Sequence, residues 1–133
     1  MTNSDQFRLA KAFMSQLRKP DAEQLRSVVT EDVLWTFPGN ASISGEAVGV
    51  QGLMARAKLI AAHQVEVEIV RAVYGLSGLA VMLHNTGSRR GRTLDEYLAT
   101  VFQYRGDRIS RLDTYLSDVP MMEAFFASAM KAD

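Results

Sequence analysis

The chain is 133 residues long, 47% apolar and 23% charged, which suits one globular domain over residues 1–133 and excludes a disordered polypeptide. Fifteen basic side chains balance fifteen acidic ones, so a basic footprint for nucleic acid or for an anionic membrane is not expected. With no cysteine, disulfide, thiolate and zinc-thiolate chemistry drop out. No run approaches the roughly 18 apolar residues a membrane helix needs, and no apolar stretch follows a basic cap near Met1. The expectation is a soluble, cytoplasmic protein.

The first helix is read from Ala10, Phe13, Met14 and Leu17 at helical spacing, with Asn3 and Gln6 as a capping pair. Lys19-Pro20 ends it, and Asp21 caps a short second helix that turns Leu25, Val28 and Val29 inward. Thr30-Glu31-Asp32 reads as a turn, and Val33 to Phe37 as a strand ended by Pro38-Gly39. Residues 39–49 read as a glycine- and serine-rich loop. A third helix carries Val50, Leu53, Ala57, Ile60 and Ala61 in one stripe.

From Gln64 the period switches to two: Val65, Val67 and Ile69 alternate with Gln64, Glu66 and Glu68. Ser77-Gly78 turns the chain into a strand from Leu79 to Asn85. Thr86 to Arg92 is expected to be a hairpin connection, and Leu94 to Tyr104 the returning strand. Arg105-Gly106-Asp107 is the next tight turn, before Ile109 to Leu116. Asp118 then caps a last helix with Pro120 in its first turn and Met122, Phe125, Phe126 and Met130 as its buried stripe. Three helices, a run of strands and a closing helix predict an α+β layer with the helices on one side of a curled antiparallel sheet.

Several strings in this order resemble the nuclear transport factor two-like superfamily, and within it the SnoaL-like, polyketide cyclase-related group. They are Trp35-Thr36-Phe37-Pro38-Gly39, the Gly45 to Gly52 lead into the third helix, and the block from Asp95-Glu96-Tyr97 through Val101-Phe102-Gln103-Tyr104 and Gly106 to Asp113-Thr114-Tyr115 and Asp118. The resemblance implies a cone-shaped α+β fold whose sheet and helices enclose a pocket, commonly as a homodimer. It does not imply one activity, since the superfamily holds cyclases, isomerases, epoxide hydrolases and non-catalytic members. Laid over this chain, the ketosteroid isomerases' aspartate base falls at Phe37, their oxyanion tyrosine at Phe13 and their neutral aspartic acid at Thr100. Phenylalanine neither takes a proton nor donates a hydrogen bond, so that machinery is absent. The limonene epoxide hydrolases' paired arginine and aspartate fall at Val81 and Leu83, and their second aspartate at Thr114, so that set is absent too.

Strand parity locates the interior. Leu94, Glu96, Leu98, Thr100, Phe102 and Tyr104 share one face of the long strand; Leu112, Thr114 and Leu116 share one face of the last. Glu96 is then the one carboxylate on a mostly apolar face, where burial raises a carboxyl pKa toward neutrality and suits it to proton transfer. Arg71 lies on the parity of Val65, Val67, Ile69 and Val73, from which it could meet Glu96 across the pocket; the alternative is Glu96 at a strand end in water and Arg71 on the rim. Glu96 is the candidate base and Arg71 or Thr100 the group polarising a ligand oxygen. Trp35, Phe13, Phe37, Leu98, Phe102, Thr114 and Leu116 are the candidate ligand-binding residues.

Other features read more simply. His63 and His84 have no partner at ligand spacing, and no metal or other cofactor is expected. Asp95, Tyr97, Asp113 and Tyr115 point outward, toward cross-strand or homodimer contacts. The basic hairpin Ser88-Arg89-Arg90-Gly91-Arg92 reads as a solvated turn before an anion site. Two functions stay open: a pocketed isomerase or cyclase acting on a small apolar carbonyl compound, and a non-catalytic dimeric ligand-binding or accessory protein whose buried Glu96 and Arg71 satisfy each other.

Overall fold

A computed structural model describes residues 1–127, and their elements follow in the order α1 (Asn3–Ser15), α2 (Ala22–Arg26), β1 (Val29–Phe37), β2 (Gly45–Val48), α3 (Gly49–Ala62), β3 (Glu66–Tyr74), β4 (Gly78–Arg89), β5 (Arg92–Arg105), β6 (Arg108–Leu116) and α4 (Val119–Phe125). The α1 cap sits one residue earlier than Asn3. Thr2 Oγ1 accepts the Asp5 amide, and the Asp5 carboxylate accepts the Thr2 amide, a reciprocal capping box. Asp21 caps α2 by accepting the Glu23 and Gln24 amides. Val28 and Val29 are buried as expected but lie beyond α2, and Val29 opens β1.

Thr30 to Asp32 are strand and not turn: Val29 already pairs with Ile109, and an irregularity before Leu34 absorbs the change of register. Residues 45–48, expected as loop, form the edge strand β2 against β1, with Phe37 opposite Gly45 and Leu34 opposite Val48. Of its four residues only Ala47 is buried, so there was little apolar alternation to read. β4 and β5 run on to Arg89 and from Arg92, which shrinks the expected Thr86–Arg92 connection to Arg90-Gly91, both with positive φ. Asp118 accepts the Met121 amide as the α4 cap, and Met122, Phe125 and Phe126 are buried. Met130 lies outside the described residues.

The strands form one curled, unclosed sheet in the order β2-β1-β6-β5-β4-β3. Every neighbouring pair is antiparallel except β1 and β6, which run parallel. Phe13, Met14 and Leu17 from the first helical segment, Ile60 from α3, and Met122 and Phe126 from α4 and its end face the concave side of this sheet across one small cavity. The α+β reading with helices in the cone stands. No helix of the described residues is long and apolar enough to cross a membrane.

Candidate functional site

The inner faces of β4, β5 and β6 meet α1, α3 and α4 around a cavity of ≈ 30 Å³, room for about two water molecules. Met14 and Met122, unbranched and adaptable, are part of its wall. Its polar groups come in two sets, set apart along β5 by the four-residue step from Glu96 to Thr100. That step spans about 13 Å at the usual strand rise, with Leu98 between.

The first set is Glu96 with Asn85. Glu96 is only 4% exposed, and its sole hydrogen bond among the described residues comes from the Asp118 amide at 3.2 Å. Burial pushes its carboxyl up to about 7, with the Asp118 carboxylate adding to the rise and the amide hydrogen bond opposing it. Near neutrality this side chain exists in both protonation states. Asn85 sits directly across the strand pair from Glu96, and both line the cavity. The Asn85 Oδ1 atom is buried with no partner among the described residues, so a protonated Glu96 or a ligand hydroxyl has an acceptor there. The sequence reading stopped β4 at Asn85 without giving it a role, although it continues the inward parity of Leu79, Val81 and Leu83.

The second set is a line of three. Trp35 Nε1–H donates to Thr114 Oγ1 at 2.9 Å, and the Thr114 and Thr100 hydroxyls are 3.1 Å apart. Whichever threonine donates to the other, one hydroxyl proton is left over, available to a ligand oxygen. Phe13 meets the Trp35 ring edge-on at 5.1 Å, and Phe37 meets it at 6.1 Å. Phe37, Leu98 and Leu116 are on the cavity wall.

Behind Trp35 lies a residue the sequence reading missed. Arg56 is 5% exposed; its guanidinium donates to the Trp35 carbonyl at 2.8 Å and the Gly45 carbonyl at 2.9 Å. It also lies 4.8 Å from the Trp35 ring centre and 5.7 Å from that of Phe37. Burial lowers its pKa to about 10, which leaves it charged at neutral pH. A signal was present: Arg56 falls between Leu53 and Ile60 on the buried α3 stripe, adjacent to Ala57.

Two expected site residues are elsewhere. Arg71 is exposed on the outer face. A bulge between Ile69 and Arg71, which pair with Leu83 and Met82, inserts Val70 as an extra residue. It reverses the parity of the second half of β3. Val65, Val67 and Ile69 turn toward the core, but beyond the bulge Ala72 does so while Arg71 and Val73 are exposed. The expected Glu96–Arg71 pair therefore does not form, and Glu96 has no ion-pair partner among the described residues. Phe102 is fully buried against Phe13, ring centres 5.9 Å apart, and is absent from the cavity wall. It supports the site from behind.

On the outer face, Tyr97 and Tyr115 are exposed, and Asp113 is held by Thr36 and Arg111. His84 lies there too, stacked on Tyr97 at 4.4 Å. Its Nε2 is 2.6 Å from Asp95 Oδ1 and its Nδ1 3.6 Å from Glu68 Oε1. The hydrogen bond to Asp95 is the main cause of a raised imidazole pKa.

No protein-family model and no curated protein matches this sequence. Solved structures do match the fold. An NTF2-like protein from Burkholderia xenovorans LB400 is similar at TM-score 0.78 and 19% identity, over 95% of this chain and 98% of that one. TerC, co-crystallised with polyporic acid, is similar at TM-score 0.78 and 16% identity over 93% and 99%. A protein from Jannaschia sp. CCS1 named for the SnoaL-like polyketide cyclases is similar at TM-score 0.72 and 14% identity over 96% and 98%. Helices on the concave side of a curled six-stranded sheet, matched along nearly the whole of each chain, are the nuclear transport factor two-like, cystatin-like fold, and this chain has it.

Proposed function

We propose that the protein is a small-molecule pocket protein of the SnoaL-like kind, binding an apolar carbonyl compound inside the cone and moving a proton on it by way of Glu96, as an isomerisation or cyclisation requires. The observation that carries this reading is a buried carboxyl poised near neutrality in a mostly apolar cavity. A carboxyl of that pKa is ionised often enough near neutrality to take a carbon-bound proton and, once protonated, acidic enough to return it. The spare hydroxyl proton of the Thr100–Thr114 pair is the group that would hold the ligand's carbonyl oxygen as negative charge develops. The two sets lie a four-residue strand step apart, so the ligand they suit is a conjugated or fused-ring body and not a two-carbon fragment. The co-crystallisation of TerC with polyporic acid supports a small organic partner for this fold.

The second reading, a non-catalytic ligand-binding or accessory protein, is favoured by the size of the cavity. At ≈ 30 Å³ the cone is nearly full, and a ring system enters only if Met14, Met122 or Phe126 swings aside. The lone tryptophan reports binding, and turnover by Glu96 separates the two. Trp35 emission is followed while steroids, terpenoids and aromatic polyketide-like ketones are added; a saturable shift is expected for at least one class. Glu96→Gln is expected to keep that binding and lose turnover of the bound ketone, measured as exchange of its α-hydrogens in deuterated water. Exchange unchanged in the variant would remove Glu96 from the chemistry, and no exchange above background in the unaltered protein would leave a binding protein. No shift across the panel would count against a ligand inside the cone.

The reading extends to a homodimer through the outer sheet face. Tyr97, Tyr115 and Met82 are exposed there beside Ala99, an apolar strip that a second copy of the sheet can cover. Light scattering at micromolar concentration is expected to give twice the chain mass, and Tyr115→Glu to halve it. A monomeric mass for the unaltered protein would overturn this.

A further inference from the structure

A wide cleft lies outside the cone. It has a volume of ≈ 550 Å³, and Arg89, Arg90 and Arg92 of the β4–β5 hairpin are on its wall with His63 from the end of α3. Leu59, Phe125 and Phe126 supply an apolar side. Among the described residues Glu123 is the one carboxylate on the wall, and it is engaged by the Asn40 amide at 2.7 Å. No carboxylate among the described residues lies within ion-pairing distance of the three arginines. Arg89 and Arg92 are instead held in place by backbone carbonyls, Arg89 on Ala62 at 2.6 Å and Arg92 on Ala127 at 3.0 Å. Each guanidinium has five N–H donors, so one such bond fixes the group and leaves most of its donors for a ligand. His63 is fixed likewise, its Nδ1 2.8 Å from the Leu59 carbonyl and its ring packed on Phe126 at 4.7 Å.

Two features distinguish this from an ordinary solvated turn. Arg90 adopts φ 52° in the two-residue loop Arg90-Gly91, a position where asparagine or glycine is less strained. A cation is thus kept where local conformation disfavours it. Second, Phe126 lines both this cleft and the interior cavity. The Phe126 ring is thus shared by the cationic cleft and the wall of the apolar cone, where Ile60 and Met122 also lie.

We propose that the cleft holds the oxyanion end, carboxylate or phosphate, of an amphipathic ligand whose apolar body reaches the cone past Phe126. This rests on the pocket reading above and names the class of ligand it takes: an organic acid or phosphate ester on an apolar chain or ring. Guanidinium groups pair with both oxyanions in bidentate geometry, and the apolar side accommodates the first carbons of the body.

Decanoate, decyl phosphate and the neutral 2-undecanone test it, with binding followed by calorimetry and by Trp35 emission. Both anions are expected to bind roughly tenfold tighter than the ketone, about the effect of one or two partly exposed charge pairs, and to lose that advantage at high salt. Arg90→Asn removes a charge while relieving the turn. It is expected to weaken the anions roughly fivefold, leave the ketone unchanged and not lower the unfolding midpoint, a combination a purely structural arginine does not give. Arg92→Gln is the second variant, with the same expected direction. Equal affinity for anions and ketone, or anion affinity unmoved in both variants, overturns the proposal. If that happens while the ketone still shifts Trp35, the cleft assignment falls and the pocket reading stands. Salt-sensitive anion binding with no change at Trp35 overturns the passage past Phe126 and the cone as the ligand's seat.

Discussion

Glu96→Gln is expected to make the protein more stable at pH 8 and to flatten its loss of stability with rising pH. In the folded chain the Glu96 carboxyl is raised from 4.5 to about 7, so between those values the native state holds a proton that the unfolded state has released. Stability linked to this group is complete below the unfolded pKa and is lost as pH climbs through the folded one. The shift corresponds to roughly 3 kcal/mol at 1.36 kcal/mol per unit. Glutamine cannot ionise, yet its carbonyl still accepts the Asp118 amide. Urea midpoints for the two proteins should therefore converge below pH 5 and separate above pH 7, the variant being the more stable. His84, whose pKa is also raised, titrates with the same sign but is present in both proteins and cancels in the comparison. Parallel curves at all pH values would mean that the folded carboxyl is ordinary, and the proton-transfer role would lose its basis.

Arg56→Ala is expected to be the most damaging change near the site. Its guanidinium joins α3 to the Trp35 carbonyl of β1 and the Gly45 carbonyl at the start of β2. Hydrogen bonds from a charged donor contribute about 1.5–3 kcal/mol each, and truncation strands two carbonyls and empties the space against the Trp35 and Phe37 rings. A loss of about 3–4 kcal/mol follows from these terms, read as a fall in the urea midpoint with the slope unchanged. Arg56→Lys is expected to recover less than half, because a compact ammonium cannot fork to two carbonyls while lying on a ring. A loss below about 1 kcal/mol in the alanine variant would show that the carbonyls find other partners. Since the second contact anchors the β1–β2 hairpin, Trp35 emission should move with it.

How far the sequence could be read depended on periodicity surviving from one residue to the next. β5 alternates without interruption from Leu94 to Phe102, and that alone placed Glu96, Leu98 and Thr100 on the inner face, where they are. The Thr100–Thr114 contact was in reach for the same reason: both strands keep strict parity until the irregularity at Tyr104. β3 does not keep it. A single extra residue at Val70 left the string from Val65 to Val73 looking continuous while its second half turned over. Arg71 was therefore assigned to the wrong face, and Glu96 was given a partner it does not have. Arg56 was overlooked for a different reason. A cation among Leu53, Ala57 and Ile60 reads as an intrusion on the stripe, and the acceptors that make its burial affordable are backbone carbonyls, which no side-chain pattern reveals. β2 escaped because an edge strand of four residues with one buried side chain carries almost no alternation.

The parallel pairing of β1 with β6 has a consequence for how the chain reaches this structure. β3, β4, β5 and β6 meet in succession through short turns, so they can zip as neighbours while the polypeptide is still being made. β1 cannot join them: Trp35 must find Leu112 across almost all the intervening chain. Until β6 emerges, Val29, Val33 and Trp35 have only α1, α2, the small β2 hairpin and α3 to lie against, with one edge of β1 unpaired. The cone is therefore closed late, by the longest-range contact in the sheet, and the nascent chain carries an open apolar edge for most of its synthesis. Substitutions that weaken the Leu112 side of that junction should reveal themselves first as poor yield of folded protein, before any loss of stability in the molecules that do fold.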